Sequence, residues 1–280
     1  IIRSKLFIIF SFLSISILIL LNIYFFVYIR STSWQFRGIP SSIPYLNLIL
    51  LNIAQAVIAV FMASDFLAHE KKMNTIDSIY TRSITNAEYV LGKLSGVLIV
   101  FLCINIIILF LSFVINVVFV DDVPFVPITY LFYLLLISIP TLIYIFGLTF
   151  FFMSLIKSQP ITLFILLGYI TATFSLLSTK FHYLFDFQAF NLPFLYSDFI
   201  GFGNNSTLLM QRSIYLFLGL GLIFTAVLLF KRLPQSKLAN LISLVLVLFF
   251  IGAAGQLGNM YLSKISEGRD LRREMRLLNK

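Results

Sequence analysis

"LFIIFSFLSISILILLNIYFFVYI", residues 6–29, runs for 24 residues without a charged side chain. The hydrocarbon core of a bilayer takes about 20 apolar residues of helix, so this run is long enough to cross it. Signal-peptide cores hold only about 7–15 apolar residues ahead of a small-residue cleavage site. This run is too long and lacks such a site, and it reads as a retained first span.

The rest of the chain repeats the pattern. Of 280 residues, 60% are hydrophobic, 16% aromatic and 11% charged, with a mean hydropathy of +1.02. Soluble domains carry about 25% charged residues, so a soluble core under a polar surface is excluded. Further candidate spans are Ile43–Ala68, Ala87–Val120, Ile128–Ile156, Ile161–Ser178, Ser213–Phe230 and Leu238–Ser263. No strand-period alternation, low-complexity tract or internal repeat is evident. The expected fold is all-α: a polytopic membrane protein, with a lipid bilayer as its surroundings.

Charge between the runs sets the expected orientation. With the N-terminus inside, cytoplasmic segments hold Arg3, Lys5, Lys71, Lys72, Arg82, Lys93, Lys157, Lys231, Arg232 and Lys237. The other side holds Arg30, Arg37, Lys180 and Arg212, with Asp121 and Asp122. This is a positive-inside bias, and it predicts a cytoplasmic N-terminus. The same distribution accounts for the net charge of +9 without a nucleic-acid partner. Residues 264–280 are basic yet fall outside on a seven-span count. Either the seventh segment is no simple span, or the tail opens a translocated domain; the second is preferred. A start at Ile1 and an end in a charged stretch suggest part of a longer chain.

Site chemistry is sparse. Cys103, the only cysteine, lies in an apolar run and reads as a small buried hydrophobe. His69-Glu70 resembles the start of H-E-x-x-H, but Met73 stands where the second histidine is required. Gly92-Lys93 lacks the first glycine and the Ser/Thr of a phosphate loop. Neither a catalytic set nor a cofactor is expected on this chain.

The chief polar interruption is "HEKKMNTIDSIYTRSITNAEYVLGK", residues 69–93. Asn74-Thr75-Ile76-Asp77 reads as a helix start. Met73, Ile76, Ile79 and Tyr80 then form one apolar stripe, which suits a short helix at the membrane surface or against a partner. Thr85-Asn86-Ala87-Glu88 is a capping box of the T-x-x-E form that opens the third span. An amphipathic connector with no partner fits these residues equally well.

Glu70, Thr75, Tyr80-Thr81-Arg82 and Asn86-Ala87-Glu88-Tyr89-Val90-Leu91-Gly92-Lys93 resemble the cytoplasmic loop of ABC-2 type transporter permeases. Two positions depart from it: Asn74 stands where that family usually has Gly, and Ser83 where it usually has Pro. The resemblance extends more weakly over residues 1–237, as a six-span bundle. Residues 238–263 then add a seventh helix, and 264–280 a basic helical tail. The resemblance implies an export permease in the plasma membrane, working with a second permease copy or half. The loop would be a coupling helix on a separate cytoplasmic ABC ATPase subunit. Glu70, Ile76, Ile79, Tyr80 and Arg82 would be the docking residues.

Two further segments matter. Asn22, Asn47, Asn52, Gln55, Asn105 and Asn116 sit inside the spans. Hydrogen bonds between helices are their simplest use; Asn52 and Gln55 are the candidates for a translocation path. No run has an ionisable residue at its centre, which argues against proton-coupled transport. Residues 180–212 carry nine Phe or Tyr with Pro193, Gly201 and Gly203, too interrupted for one span. They read as short helices dipping into the outer leaflet, as in ABC-2 permeases, or as a plain interfacial loop. Glycines at 252, 255 and 258 allow close helix approach or a kink. The competing reading of the whole chain is a membrane anchor or scaffold for an extracytoplasmic domain after residue 263.

Overall fold

A computed structural model describes residues 5–24, 43–72, 85–119, 126–176, 183–191, 202, 205–230 and 237–278. Among them there is no strand. Seven helices are long and apolar enough to cross a membrane. Helices follow from the composition, because a backbone in hydrocarbon must satisfy every N–H and C=O within its own segment.

The helices are α1 (Lys5–Tyr24), α2 (Ile43–Lys72) and α3 (Asn86–Phe119). A fourth span comprises α4 (Pro127–Tyr133), a π-turn (Leu134–Ser138) and α5 (Ile139–Ile156). Then come α6 (Gln159–Ala172), a 3-10 turn (Tyr183–Phe185), α7 (Ser206–Leu229) and α8 (Lys237–Leu278). Lys157 ends α5 in the left-handed conformation at φ 58°, and Pro160 starts α6 directly after the reversal. A residue in that conformation satisfies the last turn of a helix, and proline suits a first one. Consecutive spans run antiparallel, so one end of the bundle carries Thr85, Lys157 and Phe230. The other carries Tyr45, Asp186 and Ser206.

α2 lies at the centre, touching α1, α3, the α4–α5 span and α6. α5 packs along α7, and α8 leans chiefly on α7. Phe101 of α3 is fully buried, its ring 5.8 Å from Phe7, 6.1 Å from Phe10 and 5.7 Å from Phe146. That aromatic knot joins α1 to α5 through α3.

The tightest helix contact is between α5 and α7. A methyl group placed on Gly147 would lie 2.5 Å from the Gly219 carbonyl oxygen, and one on Gly219 would lie 2.7 Å from the Tyr144 nitrogen. Here backbone meets backbone, and only glycine permits it. The other face of α7 is close too, since a methyl on Gly221 would meet Ile251 Cγ1 of α8 at 2.8 Å. Gly252, Gly255 and Gly258 have nothing within 4 Å of that position. The glycine series of α8 therefore serves no close approach among the described residues.

The sixth span starts earlier than the expected Ser213. α7 begins at Ser206 and takes Gln211 and Arg212 into its second turn. A boundary drawn from hydropathy stops at the first charge. A helix can run back past that charge when the neighbouring backbone supplies acceptors for it.

Candidate functional site

The site is best built from Pro140. Proline has no N–H, and inside a helix its ring crowds the carbonyl four residues back. The apolar span containing it responds with the π-turn, in which the Ile139 N–H reaches back to the Leu134 carbonyl. π-turns inside helices concentrate at functional positions. The Leu136 carbonyl, four residues before Pro140, is left to find another donor.

Arg212 supplies it. Nε donates to the Leu136 oxygen at 2.6 Å and Nη2 to the Ile137 oxygen at 3.0 Å. The same guanidinium donates to Thr141 Oγ1 at 2.7 Å and, through Nη1, to the Phe187 oxygen at 2.7 Å. Arg212 is 1% exposed, the largest fully buried side chain described. Its planar fork of five N–H donors suits a cluster of carbonyls.

Phe187 belongs to residues 183–191, in which a 3-10 turn gives way to irregular backbone that sits inside the bundle at 186–189 while Tyr183, Phe185 and Phe190 stay exposed. Asp186, Phe187, Gln188 and Ala189 are all at least 96% buried, with relative exposures of 2%, 0%, 4% and 2%. Non-helical backbone at such a depth persists only where protein groups satisfy it. Gln211 Nε2 donates to the Asp186 oxygen at 2.5 Å, and Tyr215 Oη to the Leu184 oxygen at 2.5 Å. Thr141 Oγ1 adds a bond to the Phe187 oxygen at 3.2 Å. The Phe187 ring stacks on Tyr169 at 5.7 Å and lies 5.6 Å from Tyr144. Thus α5, α6 and α7 together hold a short plug.

Asp186 gives the plug a charge. Burial pushes its carboxyl above the usual carboxylate range, while the N–H groups of Asn191, Phe190 and Gln188 and the charge of Arg212 act in the opposite direction. The Asn191 N–H donates to Oδ2 at 2.6 Å. Asp186 also acts electrostatically on Tyr45, Tyr215 and Tyr261, which places it near the starts of α2 and α7 and beside the middle of α8. Lys264 of α8 donates to Ser206 Oγ at the same end.

Apart from Asp186 and Arg212, the buried polar side chains described are neutral. Asn47 and Asn22 exchange amide hydrogen bonds at 3.1 and 3.2 Å, and Asn47 also donates to Ser112 Oγ at 2.5 Å. Gln55 donates to Asn52 and accepts from Asn105 Nδ2 at 2.9 Å; Asn105 accepts from Ser138 Oγ at 2.7 Å. Asn52 and Gln55, the residues picked for a translocation path, are fully buried in this network. Asn52 Nδ2 has no partner among the described residues. Ser138 is the last residue of the π-turn, so that turn meets the amide network with a side chain and Arg212 with its carbonyls.

At the opposite end the capping box forms as the sequence implies. The Thr85 N–H donates to Glu88 Oε2 at 2.8 Å, and the Glu88 N–H to Thr85 Oγ1 at 3.2 Å. Asn86 Nδ2 donates to the Phe230 oxygen at 2.6 Å, closing the end of α7, and the Tyr89 and Phe230 rings stack at 5.2 Å. Of the expected docking residues, Ile76, Ile79, Tyr80 and Arg82 lie outside the described residues. Glu70 lies in α2 with its side chain outside them, as does the side chain of Asn116 in α3.

Sequence reading missed Arg212 and Asp186, both assigned to an interfacial segment of short dipping helices or plain loop. One signal was available: Pro140, within an apolar run, announces a carbonyl in need of a donor. The same reading took Cys103 as buried, whereas that thiol is exposed on the apolar outer face of α3. Among the described residues no three His, Cys, Asp or Glu side chains could hold a metal ion. No family model, curated protein or solved structure matches the chain.

Proposed function

We propose that this chain is the transmembrane subunit of an ABC-2 type exporter in the plasma membrane, with its N-terminus cytoplasmic. Separate cytoplasmic ATPase subunits dock on the 69–93 connection, and a second permease copy or half completes the unit. The observation that carries this reading is how that connection ends. Its capping box fixes the start of α3, and Asn86 and Tyr89 fasten that start to the end of α7. A force applied to the connection would thus reach two spans at once. Asn52 and Gln55 line the path in this reading, and residues 183–191 close its extracytoplasmic end.

The test is purification of the full-length protein in mild detergent, as wild type and as Ile79→Asp and Arg82→Glu. A co-purifying subunit that hydrolyses ATP, and is lost from both variants while they elute as folded protein, supports docking. Wild type that never brings down an ATP-hydrolysing subunit removes the engine and overturns the reading.

One observation favours an anchor or scaffold instead. α8 stays helical from Lys237 to Leu278, about 63 Å at 1.5 Å per residue, well beyond a bilayer. It also leans chiefly on α7. A protein that partitions to the membrane and binds an extracytoplasmic domain, but no ATPase, would be this scaffold.

A further inference from the structure

We propose that α7 is a lever, gripped at its waist, that couples the start of α3 to the plug at residues 183–191. Three separate contacts on one helix carry this. At one end, Asn86 and Tyr89 hold Phe230 by a 2.6 Å hydrogen bond and a ring stack. At the other, Gln211, Arg212 and Tyr215 hold the backbone of Leu184, Asp186 and Phe187. Between them Gly219 lies against the α5 backbone at Ile143 and Tyr144, while Gly221 lies against Ile251 of α8.

At 1.5 Å per residue, Arg212 stands about 10 Å from Gly219, and Phe230 about 16 Å on its other side. The waist has no side chain to compress on the α5 face, so it resists translation there. A displacement at Phe230 is therefore met by tilting, and tilting moves the guanidinium that the plug hangs on. Arg212 holds the carbonyls of the π-turn as well. Movement of α7 thus strains the one irregular turn in the neighbouring span. Use of this lever in transport rests on the exporter reading; the mechanical coupling does not.

Gln188 offers a reporter. It is buried, yet its amide nitrogen has no partner among the described residues, so replacement sacrifices no donated bond. In a Cys103→Ala background, Gln188→Cys is labelled with a membrane-impermeant maleimide, using the purified chain in detergent with no ATPase present. Its labelling rate measures local opening of the plug. Arg212→Lys, which loosens the plug directly, is the positive control. Thr85→Ala, which weakens the α3 cap without touching Phe230, is the control for a general loosening of that end.

The expected result is a labelling rate raised about threefold or more by the Asn86→Ala, Tyr89→Ala double variant, as by Arg212→Lys, with Thr85→Ala near wild type. Sites this far apart with no shared partner should otherwise act independently. An unchanged rate in the double variant, with the Arg212 control raised, overturns the lever. An unchanged rate in the Arg212 control overturns it equally, because the plug would then not hang on α7. A Thr85→Ala rate as high as the double variant's also overturns it, since general loosening would suffice. Because no ATPase is involved, failure here leaves the exporter reading to its own test.

Discussion

The two ends of α7 solve the same problem by different means. At Phe230 the helix closes next to an exposed capping box, and a single amide completes its last turn. At Arg212 the helix is buried, and its side chains must satisfy a plug, a π-turn and a carbonyl that Pro140 cannot serve. The Thr85–Glu88 pair at the first end is exposed, whereas the Arg212 guanidinium at the second is wholly buried. The middle of the bundle shows a third regime, in which only neutral amides and hydroxyls pair between helices. Among the described residues buried charge is thus kept to one end, where irregular backbone supplies it with acceptors.

That contrast breaks most severely at Arg212. Arg212→Ala strands the Leu136 carbonyl and leaves those of Ile137 and Phe187 to share the single Thr141 hydroxyl, and each stranded group costs about 1–3 kcal/mol. A loss of about 3–5 kcal/mol is expected in denaturant unfolding in detergent, with Arg212→Lys recovering part of it. A loss below that of any amide variant would show that the guanidinium is not the keystone.

Gly219→Ala comes next. Its new methyl meets α5 backbone rather than a movable side chain, and about 2–3 kcal/mol should be lost. Gly252→Ala, which opens onto empty space, should be neutral or stabilise by up to about 1 kcal/mol through helix propensity. Equal effects at the two sites would dissolve the close crossing.

Asn105→Leu removes bonds to Gln55 and Ser138 in the neutral region. Membrane interhelical hydrogen bonds average about 0.6 kcal/mol, so about 1–2 kcal/mol is expected by the same unfolding assay. Thr85→Ala, at the exposed end, should cost about 1 kcal/mol, the usual value of a helix cap.

The smallest effect concerns pH. Burial raises the Asp186 carboxyl above its ordinary 3.8, so the folded plug favours the protonated form. Its contribution is fully present below that ordinary value and is lost as pH rises through the higher folded value. Asp186→Asn should therefore gain stability relative to wild type as pH rises above about 4, read from paired melts across pH. A variant that loses ground as pH rises would mean that Arg212 and the backbone N–H groups outweigh burial.

What the sequence disclosed followed from local physics. Apolar runs of 18 residues or more marked all seven spans, and Thr85 three residues before Glu88 marked the start of α3. Buried asparagines announced hydrogen bonds between helices without saying which. What stayed hidden was non-local. Arg212 lies 76 positions from the Leu136 carbonyl it serves, and hydropathy reads such a residue as the edge of a span. Gly147 stands alone and Gly219 only two residues from Gly221, and the meeting of Gly147 with Gly219 depends on how α5 and α7 cross. The more regular series at 252–258 allowed a close approach that none of the described residues makes.

The most direct measurement of the whole account uses the same buried reporter in the complete assembly. With Gln188→Cys in a Cys103→Ala background, maleimide labelling is followed in the chain together with the ATP-hydrolysing subunit that the exporter proposal requires, before and after adding ATP. The account predicts an ATP-dependent change in labelling rate that disappears when Ile79→Asp removes docking. ATP hydrolysed at full rate with no change at position 188 would contradict it.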